Sequence, residues 1–238
     1  MKLDILAFAA HPDDVELSCS GTLLKHHDLG YKIGIADLTR GELGTRGSAE
    51  LRNQEANAAL KMMGFEVREN LDLKDGFFSL DQETLLKVIS VIRKYQPKIV
   101  FATAVNDRHP DHGRAAKLIS DACFLSGLPK VQTKLNGAEQ PAWKPDAIYH
   151  YIQDHLIKPD IIVDISGYLE KKLDVIRTFK SQFYDPASKE PETSISKKDF
   201  LEFISARAKD FGRPIGAEYG EGFTSNRFIG VKDIFQLL

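Results

Sequence analysis

Apolar runs and helical patterns alternate along the first two thirds of the chain. Short apolar runs bounded by polar residues, glycine or proline predict strands, and longer segments rich in helix formers or with apolar residues at helical spacing predict helices. The predicted strands are Leu3–Ala10, Lys32–Thr39, Val67–Leu73 and Ile99–Ala104. The predicted helices are Val15–Leu29, Ala49–Met63, Thr84–Tyr95 and Gly113–Leu125. Such alternation is typical of an α/β fold, with a mostly parallel sheet and helices on both faces.

The last third of the chain continues the alternation less regularly. Two further strands and two further helices are predicted at Ala147–Ile152, Ile161–Ile165, Tyr168–Phe183 and Lys197–Phe211. Between the two helices, Asp185–Ser196 is rich in Pro, Ser, Glu and Lys, and this composition predicts a loop. No internal repeat or second domain is evident, so residues 1–238 are predicted to form one domain.

Composition narrows the class of protein without identifying it. The 238 residues carry a formal net charge of −2, which does not suggest a nucleic-acid partner. No segment approaches the roughly 20 apolar residues of a membrane span. The first strand follows Met1 and Lys2 directly, which leaves no room for a signal peptide. Cys19 and Cys123 both lie in predicted helices, so we expect no structural disulfide and a cytoplasmic protein.

Two short strings, far apart in the chain, hold three of its seven histidines. Ala10–Asp14 reads Ala-His-Pro-Asp-Asp and follows the first predicted strand, and His109–His112 reads His-Pro-Asp-His and follows the strand that ends at Ala104. Open α/β sheets bind ligands beyond the carboxyl ends of their strands. Each string alone also fits a capped helix start, because Asp is a common N-cap and Pro a common first helical residue. The two strings together favour a metal site.

His11, Asp14 and His112 are the predicted metal ligands. His11 and Asp14 are three residues apart at a strand-to-helix turn, so both side chains can point to one position above the sheet. Two imidazoles and one carboxylate leave a fourth tetrahedral position open, which is the pattern of catalytic rather than structural zinc. Iron(II) is the alternative, because its facial triad uses the same donors. The predicted cofactor is therefore Zn²⁺, with Fe²⁺ open.

The other polar residues of the two strings supply acid–base groups. Asp13, next to the ligand Asp14, is predicted to accept the proton from an attacking water. His109 has two roles open to it, stabilising a tetrahedral oxyanion or donating a proton to the leaving amine. Asp111 is predicted to lie behind the ligands, where its carboxylate fixes the tautomer of a ligand imidazole or of His109.

A glycine-rich loop, Gly41–Gly47, follows the second predicted strand. Its spacing, Gly-x-x-Gly-x-x-Gly, differs from the dinucleotide-binding fingerprint, which also follows the first strand rather than the second. We expect this loop to line the active site instead, since glycines let the backbone approach a ligand closely.

Polar side chains near these segments are candidates for substrate contacts, and arginine is suited to this task because a guanidinium binds carboxylates bidentately. The predicted contacts are Arg52 and Arg108, with Arg46 as a third arginine, and Glu42 of the glycine-rich loop. The alternative for Arg52 is an ion pair with Glu50 or Glu55 on its own helix.

The two strings resemble a known family. Ala10–Glu16 and His109–His112 are similar to the motifs of the PIG-L/LmbE family of zinc-dependent N-deacetylases, which act on N-acetylglucosamine conjugates. Lys180–Phe183 and Tyr219–Phe223 resemble the bacillithiol-pathway branch, which deacetylates N-acetylglucosaminyl-L-malate. One departure is Leu17–Gly21, which reads Leu-Ser-Cys-Ser-Gly where many relatives have Gly-x-Gly-Gly.

This resemblance implies a Rossmann-like fold. It also implies metal ligands at His11, Asp14 and His112, Asp13 as general base, and His109 as oxyanion partner or general acid. The implied substrate is a small N-acetylglucosamine glycoside, anionic in this branch, and the implied assembly is a homo-oligomer.

Three alternatives stay open at the level of the sequence. The same deacetylation on a mycothiol-type glycoside or a chitooligosaccharide needs the same metal and acid–base residues. A non-catalytic sugar-binding or metal-binding protein needs neither Asp13 nor His109, so the presence of both residues argues against it. A nucleotide-dependent enzyme is disfavoured by the glycine spacing.

Overall fold

A seven-stranded sheet forms the centre of the molecule, and the computed structural model describes residues 1–237. The strands are β1 Ile5–Ala9, β2 Ile33–Thr39, β3 Val67–Leu73, β4 Ile99–Ala102, β5 Lys134–Leu135, β6 Ala138–Glu139, β7 Ala147–Tyr151, β8 Ile161–Asp164 and β9 Gly220–Thr224. Their order in the sheet is β3-β2-β1-β4-β7-β9-β8, and β5 and β6 form a separate ribbon. The first five strands of this order pair in parallel, whereas β9 runs antiparallel to β7 and β8. The fold is therefore a single-domain α/β fold with a mostly parallel sheet, as predicted.

Helices cover both faces of the sheet. They are α1 Asp14–Asp28, α2 Ala49–Met63, α3 Gln82–Tyr95, α4 Pro110–Leu125, α5 Leu169–Ile176 and α6 Phe200–Gly212, with 3₁₀ turns at Arg213–Ile215 and Ile234–Leu237. Side chains alternate along β1, so that Ile5 joins an apolar cluster with α1, α2, α5 and α6, and Leu6 joins a second cluster with α3 and α4. β1 and β2 are buried throughout, which explains their continuous apolar runs. No helix within residues 1–237 is both long and apolar enough to cross a membrane.

The helix predicted at Gly113–Leu125 begins earlier, at Pro110. Proline is well suited to the first helical turn, because its missing N–H would have no partner there. The preceding strand ends at Ala102 rather than Ala104. The hydroxyl of the next residue, Thr103, donates a hydrogen bond to the carbonyl of His112 at 2.7 Å. Both changes place the second string at the start of α4 rather than before it.

The helix predicted at Tyr168–Phe183 is too long, because α5 ends at Ile176. The segment beyond it continues in turns, and the backbone N–H of Ser181 donates to the carboxylate of Glu55 at 2.7 Å instead of extending the helix. The predicted loop Asp185–Ser196 consists of turns and bends.

β9 is a strand that the sequence patterns did not predict. Its glycines lower the local strand signal. The structure explains their presence, because a Cβ at Gly220 would lie 3.0 Å from backbone atoms of Phe211 and Gly212 at the end of α6. The close approach of α6 therefore selects glycine in a strand at this position.

Candidate metal centre and active-site cavity

β1 and β4 lie side by side at the centre of the sheet, and the chain leaves them in opposite directions. From β1 it passes through α1 to β2 on one side, and from β4 through α4 it reaches β7 on the other. Loops diverge at such a point and leave a crevice beyond the strand ends. The two strings meet in this crevice, where the ring centroid of His11 lies 4.6 Å from that of His109 and 5.6 Å from that of His112.

Asp13 occupies the N-cap position of α1, but its carboxylate faces the cavity instead of the first amides of the helix. Its φ of 125° is a strained, left-handed value for a residue with a side chain. Asp14 turns the other way, and its Oδ2 accepts a hydrogen bond from the backbone N–H of His11 at 2.9 Å. The bend therefore directs two neighbouring carboxylates to different places.

Asp14 lies between the two imidazoles that were predicted to share a metal with it. Its Oδ1 is 3.1 Å from Nε2 of His112, and its Oδ2 is 3.7 Å from Nδ1 of His11. The other nitrogen of each imidazole is held by a carboxylate: Nε2 of His11 lies 3.0 Å from Oδ1 of Asp75, and Nδ1 of His112 contacts Asp107. Carboxylates placed behind imidazoles in this way orient metal-ligating histidines. The donor set and its supports therefore fit a zinc or iron(II) ion.

Among the described residues, two groups of three have ligand atoms that all lie within 4.8 Å of one another, and neither group is the predicted set of His11, Asp14 and His112. One group is formed by His11, His109 and His112, and the other by His11, Asp75 and Asp111. Asp75 and Asp111 already accept hydrogen bonds from the backbone N–H groups of Leu43 at 2.9 Å and Gly76 at 2.8 Å. This geometry gives the two aspartates the place of supports behind the imidazoles.

The charges of the cluster favour a bound cation. Burial disfavours the charged imidazole of His112, but Asp14 and Asp107 outweigh burial and raise its pKa to about 9. The same balance, with hydrogen bonds to Asp111, Asp14 and Asp75, raises the pKa of His11 well above its ordinary value. The two imidazoles outweigh burial in turn and hold the pKa of Asp14 well below its usual range. The negative charge of the carboxylates can therefore be balanced either by protons on the imidazoles or by a bound metal ion.

The two predicted acid–base residues titrate differently. Burial raises the pKa of Asp13 to about 7, with the charge of Arg52 opposing the shift and that of Asp14 adding to it. Burial and the positive charges of His11 and His112 lower the pKa of His109. The Nδ1 atom of His109 accepts the backbone N–H of Asp111 at 3.3 Å, so the proton of the neutral ring lies on Nε2. These shifts would allow Asp13 to accept a proton near neutral pH and His109 to donate a hydrogen bond from a neutral ring.

Three polar residues of the site were not predicted from the sequence. Asp75 follows β3, Asp107 follows β4, and Gln153 follows β7, so each lies beyond the carboxyl end of a parallel strand. The amide of Gln153 donates to Oδ1 of Asp14 at 3.0 Å. The position of an acid just after a strand was the available signal, but it is a weak signal for a single residue.

The predicted support Asp111 is close to His11, with Oδ2 at 3.5 Å from Nε2. Its carboxylate also accepts from Gly76 and pairs with Arg114 at 2.5 Å. Asp111 therefore joins the first turn of α4 to the loop that carries Asp75.

The cluster opens into a cavity of about 380 Å³. The glycine-rich loop contributes Leu43–Arg46 to its wall, and α6 contributes Phe200, Ile204 and Arg207. The volume is that of a site for a small molecule.

Arg52 lines the cavity, and Glu55, one of its two predicted alternative partners, is engaged elsewhere. Glu55 accepts hydrogen bonds from the backbone N–H and the hydroxyl of Ser181, both at 2.7 Å. Arg52 donates instead to the side-chain oxygen of Gln182, and its Nε is buried with no partner among the described residues. Gly41 beside it has a φ of 65°, a conformation that favours glycine, and a Cβ at that position would displace the guanidinium.

The other predicted substrate contacts have different positions. Arg108 is exposed at the cavity rim and pairs with Asp154 at 2.8 Å. Glu42 lies outside the cavity lining of the described chain, and its carboxylate accepts from the backbone N–H of Asp75 at 2.9 Å. Glu42 therefore acts one step behind the support of His11. Arg46 is buried and donates to loop atoms, including the carbonyl of Ser181 at 2.9 Å.

The fold and the site define an α/β protein with a histidine–carboxylate cluster at the carboxyl edge of its sheet. The PIG-L family model, described as GlcNAc-PI de-N-acetylase, matches residues 6–123, which include both strings. The crystal structure of the conserved protein TT1542 from Thermus thermophilus is 32% identical, with a TM-score of 0.85 over 97% of this chain and 98% of that one. The chain belongs to the PIG-L family.

The curated relatives of the chain include two deacetylases and a hydratase. Diacetylchitobiose deacetylase of Thermococcus kodakarensis is 28% identical over 92% of this chain and 81% of its own length. 4-oxalmesaconate hydratase of Pseudomonas putida is 28% identical over 74% of this chain and 73% of its own. A probable N-acetyl-alpha-D-glucosaminyl L-malate deacetylase 2 of Bacillus anthracis is 24% identical over 75% of this chain and 81% of its own.

Proposed function

We propose that the protein is a metal-dependent N-deacetylase of a small N-acetylglucosamine conjugate, with N-acetylglucosaminyl-L-malate of bacillithiol biosynthesis as its substrate. The proposal is carried by one observation. A single cavity holds Asp13, a buried carboxyl with a raised pKa, beside the histidine–carboxylate cluster, whose charges favour a bound cation. Family membership and the chitobiose deacetylase support the reaction, and the Bacillus anthracis relative supports the malate conjugate.

His11, Asp14 and His112 hold the metal in this proposal, with Zn²⁺ as the expected ion and Fe²⁺ as the alternative. When bound, such an ion supplies Lewis acidity and lowers the pKa of water. Asp75 and Asp107 keep the two imidazoles in the tautomers that present Nδ1 of His11 and Nε2 of His112 to the ion.

Asp13 transfers the protons of the reaction, and His109 stabilises the negative charge that develops on the substrate. Asp13 accepts a proton as water adds to the acetyl carbonyl, and a pKa near 7 suits that task at neutral pH. The Nε2–H of His109 donates a hydrogen bond to the oxygen on which negative charge develops. Asp13 then returns its proton to the nitrogen as the C–N bond breaks, which releases acetate and the free amine.

The test is the release of acetate and free amine from N-acetylglucosaminyl-L-malate by protein that has been freed of metal and reloaded with zinc or iron(II). We expect equal amounts of both products in at least one metal form. Asp13→Asn should lower kcat by about 10²–10⁴-fold and leave the metal content unchanged. A variant with near-normal turnover would remove Asp13 from the role of base.

The substrate panel separates the proposal from its alternatives. It includes diacetylchitobiose and an inositol glycoside of N-acetylglucosamine, which test the same reaction on other conjugates. Hydration of an unsaturated acid, as the name of the Pseudomonas putida relative describes, releases no amine. Turnover of such an acid without amine release from any N-acetyl sugar would overturn the proposed function.

A further inference from the structure

One cation in the cavity wall was not among the predicted contacts. Arg207 lies on α6, at helical spacing from Phe200 and Ile204, and all three residues line the cavity. The metal cluster lies on the loops after β1 and β4, so the two features belong to different walls of one cavity. A ligand that reaches both walls presents its reacting group to the cluster and another part to α6.

The guanidinium of Arg207 forms no hydrogen bond and no ion pair with the side chains and backbone described within residues 1–237. The guanidinium lies over the ring of Phe203, with its Cζ atom 4.6 Å from the ring centroid. The nearby acids are Asp154 and Asp107, and both are engaged elsewhere. Asp154 pairs with Arg108, and Asp107 accepts from His112 and from the backbone N–H of His155.

Other arginines near the cavity are better satisfied. Arg46 donates to three carbonyls and a hydroxyl, Arg108 has its carboxylate, and Arg52 has the amide of Gln182. Arg207 is half-buried, and this burial lowers the pKa of its guanidinium, which reflects the cost of partly removing its charge from water. A cation held at that cost beside a cavity is suited to a ligand anion.

We propose that Arg207 binds a carboxylate of the substrate's aglycone and makes the protein selective for acidic over neutral N-acetylglucosaminides. The guanidinium offers two parallel N–H donors to a carboxylate, and Phe203 stacks against it and limits its movement. This inference rests on the proposed deacetylation and adds the residue that selects the aglycone. It assigns to α6 a task that was predicted for Arg52, Arg108 and Arg46.

The test compares kcat/KM for N-acetylglucosaminyl-L-malate with kcat/KM for diacetylchitobiose. We expect Arg207→Gln to lower the ratio of the two values by about 10–100-fold, mainly through KM for the acidic substrate, since a hydrogen-bonded charge contributes that much. Arg207→Lys should give an intermediate ratio, because it keeps the charge and loses the fork. Lys209→Gln, which removes an exposed charge from the same helix, should leave the ratio unchanged.

Equal losses on both substrates, or an unchanged ratio, would overturn the selectivity. A binding measurement keeps this result separate from the proposed reaction. Calorimetric titration of N-acetylglucosaminyl-L-malate into Asp13→Asn, with and without Arg207→Gln, reports affinity without turnover. Weaker binding in the double variant supports the anion site even if the wild type releases no amine, whereas equal binding, or no binding to Asp13→Asn, rejects it.

Discussion

The raised pKa of Asp13 depends on a single bend of the backbone at this residue. The φ of 125° turns its carboxylate away from the amides of α1, where hydrogen bonds would hold the pKa low, and into a buried position beside Asp14. The unfolded chain loses this proton near the ordinary value of 3.8, whereas the folded protein keeps it to about 7. Between these values the folded state holds the extra proton, so this residue makes stability fall as the pH rises.

Asp13→Asn should therefore stabilise the metal-free protein more at pH 8 than at pH 5. The asparagine removes the cost of ionising a buried carboxyl, about 2–4 kcal/mol at the higher pH. Urea unfolding of wild type and variant at both pH values measures the difference. A gain in unfolding free energy that is the same at pH 5 and pH 8 would contradict the raised pKa.

His109 offers a choice between two roles that substitution can separate. Its lowered pKa and the hydrogen bond to Nδ1 describe a neutral ring that donates from Nε2. His109→Ala should lower kcat by about 10²–10³-fold, the usual loss for one oxyanion donor. His109→Gln supplies a neutral N–H donor and should recover part of that loss. If glutamine is as inactive as alanine while both variants keep their metal, the imidazole transfers a proton instead.

At the scale of elements, the loops that follow the parallel strands hold the predicted metal ligands in layers. The loop after β3 places Asp75 against His11, and the loop after β4 places Asp107 against His112. The glycine-rich loop after β2 in turn holds Asp75 through Leu43 and Glu42. A change in an outer layer would therefore affect a bound metal through the orientation of an imidazole.

Asp107→Asn should weaken metal binding by about 10–100-fold while the fold is kept, because His112 loses the carboxylate behind it. Competition with a chromophoric chelator measures the dissociation constant. Asp154→Asn is the matched control, since its carboxylate lies on the same side of the cavity but pairs with Arg108 rather than with an imidazole. Equal losses in the two variants would contradict a specific support by Asp107.

Some helices, strands and site residues could be predicted from the sequence and others could not, and the difference has a physical cause. α2 was predicted with the bounds that the structure shows, because it is a run of helix formers that stops at Gly64, and the bounds of β3 were also predicted. The two strings were recognisable because each concentrates several donors within a few residues. Asp75 and Gln153 are single residues brought to the site by tertiary packing, and β9 depends on the close approach of α6, so local patterns did not reveal them.

Other unassigned polar residues serve the fold rather than the site. Glu221, which lies in a segment that resembles the bacillithiol branch, is buried and pairs with Lys172 at 2.6 Å. It also accepts the backbone N–H of Thr22 at 2.7 Å, which ties β9 to α1 and α5. His150 is buried, with Nδ1 at 2.8 Å from the carbonyl of Thr103.

At the scale of the whole molecule, a bound metal would join two halves of the sheet. Its ligands come from the starts of α1 and α4, which the chain sends to opposite sides of β1 and β4. Binding to the folded state alone adds about 2.7 kcal/mol of stability at a free metal concentration one hundred times the dissociation constant. Removal of metal by a chelator should therefore lower Tm, and readdition should restore it.

The size of that stabilisation should depend on pH. In the metal-free protein the pKa of His112 is about 9 and that of His11 is also raised, so both imidazoles hold protons at neutral pH. A metal ion needs the neutral rings and displaces those protons. Affinity should therefore fall by about 10- to 100-fold for each unit of pH below 9, according to whether one or two protons are displaced.

Calorimetry in buffers of different ionisation enthalpy counts the protons released, and the difference in Tm between metal-loaded and metal-free protein should shrink from pH 8 to pH 6. A metal affinity that is constant across this range would mean that the imidazoles are already neutral and that the surrounding carboxylates do not hold protons on them.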